Sequence, residues 1–399
     1  MAVKTGIVIP DMHGGGAERA ASLLSLHLPG EKFIIVSRLT VDYPHGGTLI
    51  NLDVPPSGNY LVSALSLIRR VNRLRSLKKR LSLSVAVSFL EPANFANILS
   101  RRGEKVIVSV REFKSVSDSN RGLPGFVSRI LMKRLYNSAH SVVAVSQSVK
   151  RDLIENFSLD PDRVKVIPNM FDLGAIHAAS REQIPPEHEG IFSSPVIITC
   201  GRLSKEKGQW HLIDVLKKVR ESIPSAKLVF LGDGELKEFL CAYARRSGLG
   251  VGQDIFFLGF QKNPFKFIAR AAVFALPSFW EGFPNSLVEA MATGTPVAAS
   301  DCDGGSREIL APSSDPHVRT GRADFVEYGA LLPVFPGWKP GMAGGDCVAV
   351  WAEALVRLIS DEQSSRLYRE QGMRRARDFS IEKVLPEWLT LLTDGQELR

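Results

Sequence analysis

Arg202 and Lys207 lie in a glycine-bounded segment near the middle of the chain. Residues 201–208 (GRLSKEKG) follow a short apolar run and precede a helical pattern. Arg202 can bind a phosphate through two parallel N–H···O bonds, and Lys207 can place a point charge beside it. At the carboxyl edge of a sheet and the entrance of a helix, this pair suits a diphosphate, although a solvated basic loop would contain the same residues.

Two glutamates, eight residues apart, lie in the most specific segment, residues 281–292 (EGFPNSLVEAMA). Proline is favoured in a first helical turn, so we predict a helix that begins at Pro284 or Asn285. The unpaired backbone N–H groups of that turn could face a phosphate. Glu289 could accept hydrogen bonds from two ribose hydroxyls, and Glu281 could reach a sugar. A capped helix with a surface glutamate is the alternative.

A glycine run near the start of the chain is a third candidate for phosphate binding. Residues 14–19 (GGGAER) follow the first apolar run. Glycines allow the close approach of a ligand, and a helix N-terminus favours anions. The run is not G-x-G-x-x-G, so it does not support a dinucleotide fingerprint. A tight strand-to-helix turn is the alternative.

The elements that must position these residues alternate between short apolar runs and longer helical patterns, such as residues 18–28 and 61–81. This alternation predicts an α/β protein of parallel sheets covered on both faces, in which ligands bind at the carboxyl ends of the strands. We therefore expect two Rossmann-like, doubly wound domains facing a central cleft. The runs predicted as strands are residues 7–9, 33–36, 85–87, 106–108, 142–145, 196–198, 228–231, 255–258 and 273–276.

Domain boundaries are predicted from a break in this alternation. Residues 176–194 contain two adjacent prolines and show no clear periodicity, so we predict a linker there. An N-terminal domain would cover residues 1–175 and a second domain residues 195–379. Residues 380–399 would form a C-terminal helix that packs back on the N-terminal domain.

Composition excludes several classes of protein. The chain has 399 residues, too many for one hydrophobic core, and 44% hydrophobic residues, which is ordinary for a globular protein. No apolar run reaches the roughly 20 residues that span a bilayer, and no signal peptide is evident, so we expect a cytoplasmic protein. The four cysteines form no CxxC pair. A net charge of +8 suits an anionic partner: a nucleotide, a phospholipid surface or a nucleic acid.

Together these segments resemble the retaining glycosyltransferases of family four, which have the two-Rossmann GT-B fold. Residues 166–169 (VIPN) and 232–234 (GDG) add to the resemblance, which covers nearly the whole chain. It implies that the new bond keeps the donor's anomeric configuration. It also implies a front-face substitution in which the departing phosphate assists deprotonation of the acceptor, so that no protein nucleophile is required.

The resemblance also implies roles for particular residues. Arg202 and Lys207 would hold the donor diphosphate and stabilise the leaving group, and Glu281 would bind hydroxyls of the donor sugar; these are the three catalytic candidates. No cofactor or metal ion would be required. The donor-binding residues implied are Gly15, Gly16, Phe283, Asn285, Ser286, Leu287 and Glu289.

One expected residue of the family pattern is missing, and one triplet matches the pattern of a different class of glycosyltransferases. Many relatives carry a histidine near the donor sugar, but residues 108–113 read VSVREF. Arg111 or Glu112 would take part of that role, with His13 as a further acceptor-side candidate. Residues 301–303 (DCD) match the D-x-D pattern by which another class of glycosyltransferases binds a metal ion. We expect no metal ion there, because the family resembled needs none.

Substrates are suggested by residues 301–309 (DCDGGSREI), which are similar to a segment of bacterial enzymes of capsule, lipopolysaccharide and lipid-linked glycan assembly. The donor would be UDP-galactose or a UDP-N-acetylhexosamine, and the acceptor a glycan or a polyprenyl-diphosphate-linked glycan. One alternative is a nucleotide-sugar 2-epimerase of the same architecture. A non-catalytic nucleotide-sugar-binding protein and an RNA-binding protein are further alternatives, although no aromatic nucleic-acid motif is found.

A basic helix is predicted at residues 61–81 (LVSALSLIRRVNRLRSLKKRL). Leu67, Val71 and Leu74 share one face, with Leu61, Leu65 and Ile68 beside it. This face would pack on a sheet and leave seven basic residues in water. Because anionic lipids attract such a surface by about 1 kcal/mol for each nearby cation, we expect peripheral binding to the inner face of the plasma membrane. The seven basic residues are Arg69, Arg70, Arg73, Arg75, Lys78, Lys79 and Arg80.

Overall fold

The chain folds into two compact units. A computed structural model describes residues 3–54, 60–119, 122–337 and 344–393. The first unit contains Met1–Phe171 and Ile381–Arg399, and the second contains Asp172–Ser380. Each unit has its own seven-stranded sheet and its own hydrophobic core. The predicted α/β class with two Rossmann-like, doubly wound domains is therefore confirmed.

The sheet of the first unit is parallel throughout, in the order β3-β2-β1-β4-β5-β6-β7. Side chains alternate between its faces, so Ile7 and Ile9 enter one core and Val8 the other. The central strands are buried on both faces because helices cover both. The strands are β1 Lys4–Ile9, β2 Glu31–Val36, β3 Thr48–Asn51, β4 Val85–Phe89, β5 Lys105–Val110, β6 Ser141–Ala144 and β7 Val164–Val166.

In the described part of the first unit, six helices connect the strands. Helix α1 begins close to the predicted start, at Gly16 within the glycine run. A 3₁₀ turn, Tyr136–Ser138, follows α5. The helices are α1 Gly16–His27, α2 Tyr60–Leu81, α3 Ala93–Leu99, α4 Lys114–Ser119, α5 Leu123–Leu135 and α6 Gln147–Phe157.

The sheet of the second unit has the order β10-β9-β8-β11-β12-β14-β13, and all pairs are parallel except β13 with β14. Two 3₁₀ turns lie at Lys205–Lys207 and Arg377–Phe379. The strands are β8 Val196–Cys200, β9 Lys227–Leu231, β10 Ile255–Phe257, β11 Val273–Leu276, β12 Val297–Ser300, β13 Asp324–Val326 and β14 Gly329–Leu332. The helices are α7 Leu173–Ser180, α8 Pro186–Glu189, α9 His211–Val219, α10 Lys237–Arg246, α11 Phe265–Ile268, α12 Asn285–Ala292, α13 Ser306–Leu310, α14 Gly345–Ser360 and α15 Glu362–Ala376.

Residues 176–194, predicted as a linker, instead form part of the second unit. They include most of α7 and all of α8, and Ile176, Ile184 and Ile191 are buried. The side chain of Asn263 donates a hydrogen bond of 2.8 Å to the carbonyl of Ala179. The boundary falls between residues 171 and 172. Helical periodicity was hidden because both helices are short and only isolated apolar residues face the core.

The last described helix, α16 (Ile381–Thr393), returns to the first unit. Its Val384, Trp388 and Leu392 are buried in the same core as Phe89 at the end of β4. The rings of Phe89 and Trp388 lie 6.2 Å apart. The C-terminal segment is therefore a structural part of the first sheet's covering layer.

Helix α2 forms where it was predicted, but its outer surface differs from the expectation. Leu74 is buried, and Leu67 and Val71 are half-buried, as predicted. Leu65 and Ile68 were expected beside that face, yet they are exposed. The side chain of Leu61 lies outside the described residues. No described helix is both long and apolar enough to cross a membrane.

Two of the seven basic residues of α2 point inward. Arg70 donates from Nε to the hydroxyl of Ser37 at 2.8 Å. Lys78 lies 2.7 Å from the carboxylate of Glu104 and donates to the carbonyl of Asn97. Burial lowers the pKa of Lys78 to about 8, although Glu104 opposes this shift. The prediction that both face water is wrong, because a long basic side chain on a packed helix can reach carbonyls and carboxylates under it.

Candidate active site

Glycines allow the loops after β8 and β9 to touch. Gly201 has φ 152° and Gly232 has φ 129°, and a Cβ on Gly232 would lie 2.0 Å from the carbonyl oxygen of Gly201. The N–H of Leu203 donates to the carbonyl of Asp233 at 2.9 Å. This contact holds the start of the 201–208 segment at the carboxyl edge of the sheet.

Arg202 projects from this edge into solvent. Its side chain is 73% exposed, and its Nε lies 3.5 Å from a carboxylate oxygen of Glu235. Such an exposed pair contributes little to stability and leaves the guanidinium able to bind another anion. The structure places Arg202 in the predicted loop but does not pair it with either glutamate of the 281–292 segment.

Lys207 and Glu281 form the centre of the candidate site. The Nζ of Lys207 lies 2.7 Å and 2.9 Å from the two carboxylate oxygens of Glu281, and the hydroxyl of Ser278 donates to the same carboxylate at 2.7 Å. Gly208, with φ 59°, ends the turn that carries Lys207; a Cβ there would lie 2.5 Å from the carbonyl oxygen of Pro277. The segments 201–208 and 281–292 therefore meet at the ends of β8 and β11.

The ion pair keeps a positive charge in a poorly solvated place. Burial by itself would lower the pKa of Lys207, but the carboxylate of Glu281 raises the pKa above its usual value. Lys207 is therefore an ammonium ion at neutral pH, with only 23% of its side chain exposed. A fixed charge of this kind needs little reorganisation to stabilise a developing negative charge.

The loop after β12 supports Glu281 through its backbone. The N–H of Glu281 donates to the carbonyl of Asp303 at 2.9 Å, and a Cβ on Gly304 would lie 2.0 Å from the carbonyl oxygen of Glu281. The carboxylate of Asp301 is bound by two nitrogens of Arg307, one at 2.9 Å, and that of Asp303 lies 2.7 Å from Arg319. Arginines therefore already neutralise both carboxylates of the D-x-D triplet.

The predicted helix begins at Asn285, and its first turn lies beside this centre. Pro284 occupies the cap position and provides no side-chain hydrogen bond to the first turn. Phe283, Leu287 and Glu289 are buried, whereas Asn285 and Ser286 are half-buried. The donor-binding candidates of this segment therefore lie on one short helix and the loop before it.

The glycine run of the first unit also lies at a helix start. Gly15 caps α1, and a Cβ there would lie 2.0 Å from a carboxylate oxygen of Glu18, while nothing lies within 4 Å of a Cβ on Gly14. Gly16 is the first residue of α1. Burial raises the pKa of Glu18. The exposed His13 contacts Asp42 through Nδ1 at 2.6 Å.

Arg111 directly follows β5, and its guanidinium lies over two neighbouring aromatic rings. Its guanidinium carbon is 5.1 Å from the ring centre of Phe89 and 5.7 Å from that of Trp388. One amino group donates to Asn169 at 2.7 Å, and the buried Nε has no hydrogen-bond partner. Within the described residues Arg111 has no salt bridge to a carboxylate, and burial alone shifts its pKa. Burial lowers the pKa of Arg111 to about 9.

Glu112 belongs to a different environment from that of its neighbour. Its carboxylate accepts hydrogen bonds from Lys114 at 2.6 Å and from Ser117 at 3.0 Å. Lys114 also lies 2.9 Å from Glu91 and 3.5 Å from Asp118. Burial opposes the charge of Lys114, but these carboxylates, Glu91 above all, raise its pKa. Glu112 is thus held mainly by a structural cluster.

Ser278, Glu91 and Lys114 were missed by sequence reasoning. Ser278 lies three residues before Glu281, and this spacing was the one local signal available. Glu91 and Lys114 come from separate strand ends, 23 residues apart, so only folding brings them together.

Known proteins are similar to this chain over most of its length. The profile described as Glycosyltransferase Family 4 matches residues 14–175, and the one described as Glycosyl transferases group 1 matches residues 180–321. An uncharacterised glycosyltransferase of Methanocaldococcus jannaschii is 30% identical over 84% of this chain and 86% of its own length. The chain belongs to glycosyltransferase family four.

One further relative and one solved structure each align with nearly the whole glycosyltransferase. A Campylobacter jejuni protein is 26% identical over 98% of this chain and 99% of its own; its name is N-acetylgalactosamine-N,N'-diacetylbacillosaminyl-diphospho-undecaprenol 4-alpha-N-acetylgalactosaminyltransferase. The crystal structure of Anabaena HepE in complex with UDP and glucose aligns with a TM-score of 0.73 at 19% identity, covering 98% of this chain and 100% of HepE. This likeness confirms the GT-B fold.

Proposed function

We propose that this glycosyltransferase transfers galactose or an N-acetylhexosamine, with retention, from a UDP-sugar to a lipid-linked glycan. The observation that carries the proposal is the Lys207–Glu281 ion pair beside the first turn of α12. It combines a fixed cation for a diphosphate with a carboxylate for sugar hydroxyls. The Campylobacter relative, whose name specifies an undecaprenol diphosphate glycan, supports this class of acceptor.

The donor would be held by the second unit. Lys207 and the exposed Arg202 would bind the diphosphate, backbone amides near residues 283–287 would contact the sugar or phosphate, and Glu289 would bind the ribose. The glycine run at Gly15 and Gly16 would approach the donor phosphate from the first unit. Glu281, already oriented by Ser278, would accept hydrogen bonds from the donor sugar.

The reaction would need no protein nucleophile. The acceptor oxygen forms a bond to the anomeric carbon on the face from which the phosphate leaves. The acceptor proton passes to a phosphate oxygen as the bond from the anomeric carbon to that phosphate breaks. Negative charge grows on the departing diphosphate, so the ammonium of Lys207 stabilises the transition state more than the ground state.

The acceptor would be bound by the first unit at Arg111. This guanidinium lacks a carboxylate partner in the described structure, and an anionic group of the acceptor would supply the missing counter-charge. Glu112, held by Lys114 and Ser117, and the exposed His13 would act on the acceptor side only indirectly.

Peripheral membrane binding would bring the enzyme to such an acceptor. Of the seven basic residues of α2, Arg70 and Lys78 are buried and the other five are exposed. Each cation close to an anionic leaflet contributes about 1 kcal/mol, and salt screens this attraction. The five are Arg69, Arg73, Arg75, Lys79 and Arg80.

A donor screen tests the reaction. The purified protein is incubated with UDP-, GDP- and ADP-sugars, with and without a polyprenyl-diphosphate glycan, and the anomer formed is read by proton NMR. We expect transfer from a UDP-sugar with the donor's configuration retained, and unchanged rates in excess EDTA. An inverted product, or activity that Mn²⁺ restores after EDTA treatment, would contradict the proposal. Isomerisation of the donor alone would indicate an epimerase instead.

A further inference from the structure

Helix α5 exposes a continuous apolar face. Four of the thirteen large hydrophobic residues that are exposed in the described chain lie on this one helix, at spacings of three, four and seven residues. At about 100° per residue they fall within an arc of roughly 100°. Their exposed fractions are 62% for Leu123, 61% for Phe126, 48% for Val127 and 38% for Ile130.

The opposite face of α5 is fixed to the first unit. Gly125 and Met132 are buried, and a Cβ on Gly125 would lie 1.8 Å from the carbonyl oxygen of Asp118 in α4. Tyr136, directly after the helix, is buried and accepts a hydrogen bond from Asn94 at 3.1 Å. Because this side packs so closely, rotation of the helix cannot hide the apolar face.

Two basic residues follow the apolar face at the C-terminal end of α5. Lys133 and Arg134 are exposed in the last turn, and the helix contains neither aspartate nor glutamate. Thirteen residues span only about 20 Å, too short to cross a bilayer. Exposed Phe, Leu, Ile and Val followed by cations is the composition of a helix that lies in a membrane interface.

We propose that α5 inserts its apolar face into the headgroup region of an anionic membrane, with Lys133 and Arg134 at the phosphate level. The inference rests on the membrane association in the proposed function and assigns it a surface. It adds a larger apolar surface to the electrostatic attraction proposed for α2. The two components differ in their response to salt, which screens charges but strengthens apolar burial.

The test is co-sedimentation with phosphatidylglycerol–phosphatidylcholine vesicles, without donor or acceptor. Phe126→Gln/Ile130→Gln removes apolar surface and keeps good helix formers. The matched control, Leu39→Gln/Phe260→Gln, changes two residues that are 61% and 68% exposed elsewhere. We expect the α5 variant to bind at least about tenfold more weakly, which corresponds to about 1.4 kcal/mol, and the control to bind like wild type.

Salt separates the two surfaces. Wild type should keep measurable binding at about 0.5 M salt, where exposed charges are largely screened. Arg69→Glu/Lys79→Glu on α2 should weaken binding only at low salt. Binding that disappears completely at high salt, or equal losses in the α5 variant and its control, would overturn the inference.

Two further measurements keep the result unambiguous. UDP affinity of the α5 variant should equal that of wild type, so a failure of vesicle binding is distinguished from a failure of the proposed donor site. Light scattering of the free protein is measured in parallel. A dimer that the α5 variant abolishes, together with unchanged vesicle binding, would assign this face to a second copy of the chain and contradict the proposal.

Discussion

Lys207 and Arg111 are both poorly solvated cations at the carboxyl edge of a parallel sheet, one in each unit. Lys207 is paired with a carboxylate at 2.7 Å, and its pKa is raised. Arg111 contacts two aromatic rings and an amide, and its pKa is lowered to about 9. The second unit therefore contains a charge balanced by its own fold, whereas the first contains one that favours an incoming anion.

The largest expected effect is the loss of turnover when Lys207, whose charge Glu281 balances, is replaced. Lys207→Ala should lower kcat on the order of a hundredfold, because the lost ammonium acts mainly on the leaving diphosphate. Lys205→Ala, an exposed lysine of the same 3₁₀ turn, is the matched control and should stay near wild type. Steady-state kinetics with saturating donor measures both. Similar rates for the two variants would remove Lys207 from the catalytic assignment.

The affinity for UDP should fall when a donor-binding residue of the second unit is replaced, and should stay unchanged when Arg111 of the first unit is replaced. Glu289→Ala removes charge-assisted hydrogen bonds to the ribose worth roughly 1.5–3 kcal/mol, so UDP should bind tens-fold more weakly in calorimetry. Glu353→Ala, an exposed glutamate of α14, is the control. Arg111→Met should bind UDP normally and lose affinity for the acceptor. Weakened UDP binding in Arg111→Met would mean that its anion is the donor phosphate.

Removal of the two charges should change the free energy of unfolding by different amounts. Lys207→Met leaves the carboxylate of Glu281 buried and unpaired, which should cost roughly 1–3 kcal/mol after allowance for the partial exposure of the lysine. Arg111→Met leaves no carboxylate unpaired and should change unfolding free energy by less than about 1 kcal/mol. Urea unfolding of both variants provides the comparison, and equal losses would contradict it.

The smallest expected effect is the dependence of the unfolding free energy on pH. Above a pH of about 9 the folded chain holds fewer protons on Arg111 than the unfolded chain does, so this group's contribution to stability rises with pH. The raised pKa of Lys207 has the opposite sign: its contribution is complete below the unfolded pKa and is lost above the folded one. Wild type should therefore gain up to about 1 kcal/mol relative to Arg111→Met between about pH 8 and pH 10. Unfolding is measured for both proteins at both pH values. The same difference in unfolding free energy between wild type and Arg111→Met at about pH 8 and about pH 10 would contradict this prediction.

Local pattern was enough to predict much of this protein. Apolar runs alternating with helical patterns predicted both sheets, and all nine predicted strands are present. Among the strands that were not predicted, β3 and β13 are short and incompletely buried at sheet edges, so their apolar signal is weak. Strands β12 and β14 are buried inside the second sheet, but their sequences VAAS and GALL are short and rich in small residues. The start of α12 followed from Pro284, because proline suits the beginning of a helix.

Residue types and spacing in the sequence thus determined the two-domain class, the family and the segments that carry the candidate site. Tertiary structure alone decided which charges pair. Lys207 and Glu281 are 74 residues apart, and Trp388 reaches Arg111 from the far end of the chain. The same packing buried Arg70 and Lys78 and left the apolar face of α5 exposed. The physical reason is that a side chain's solvation and counter-charge are set by neighbours from distant segments, which local periodicity does not encode.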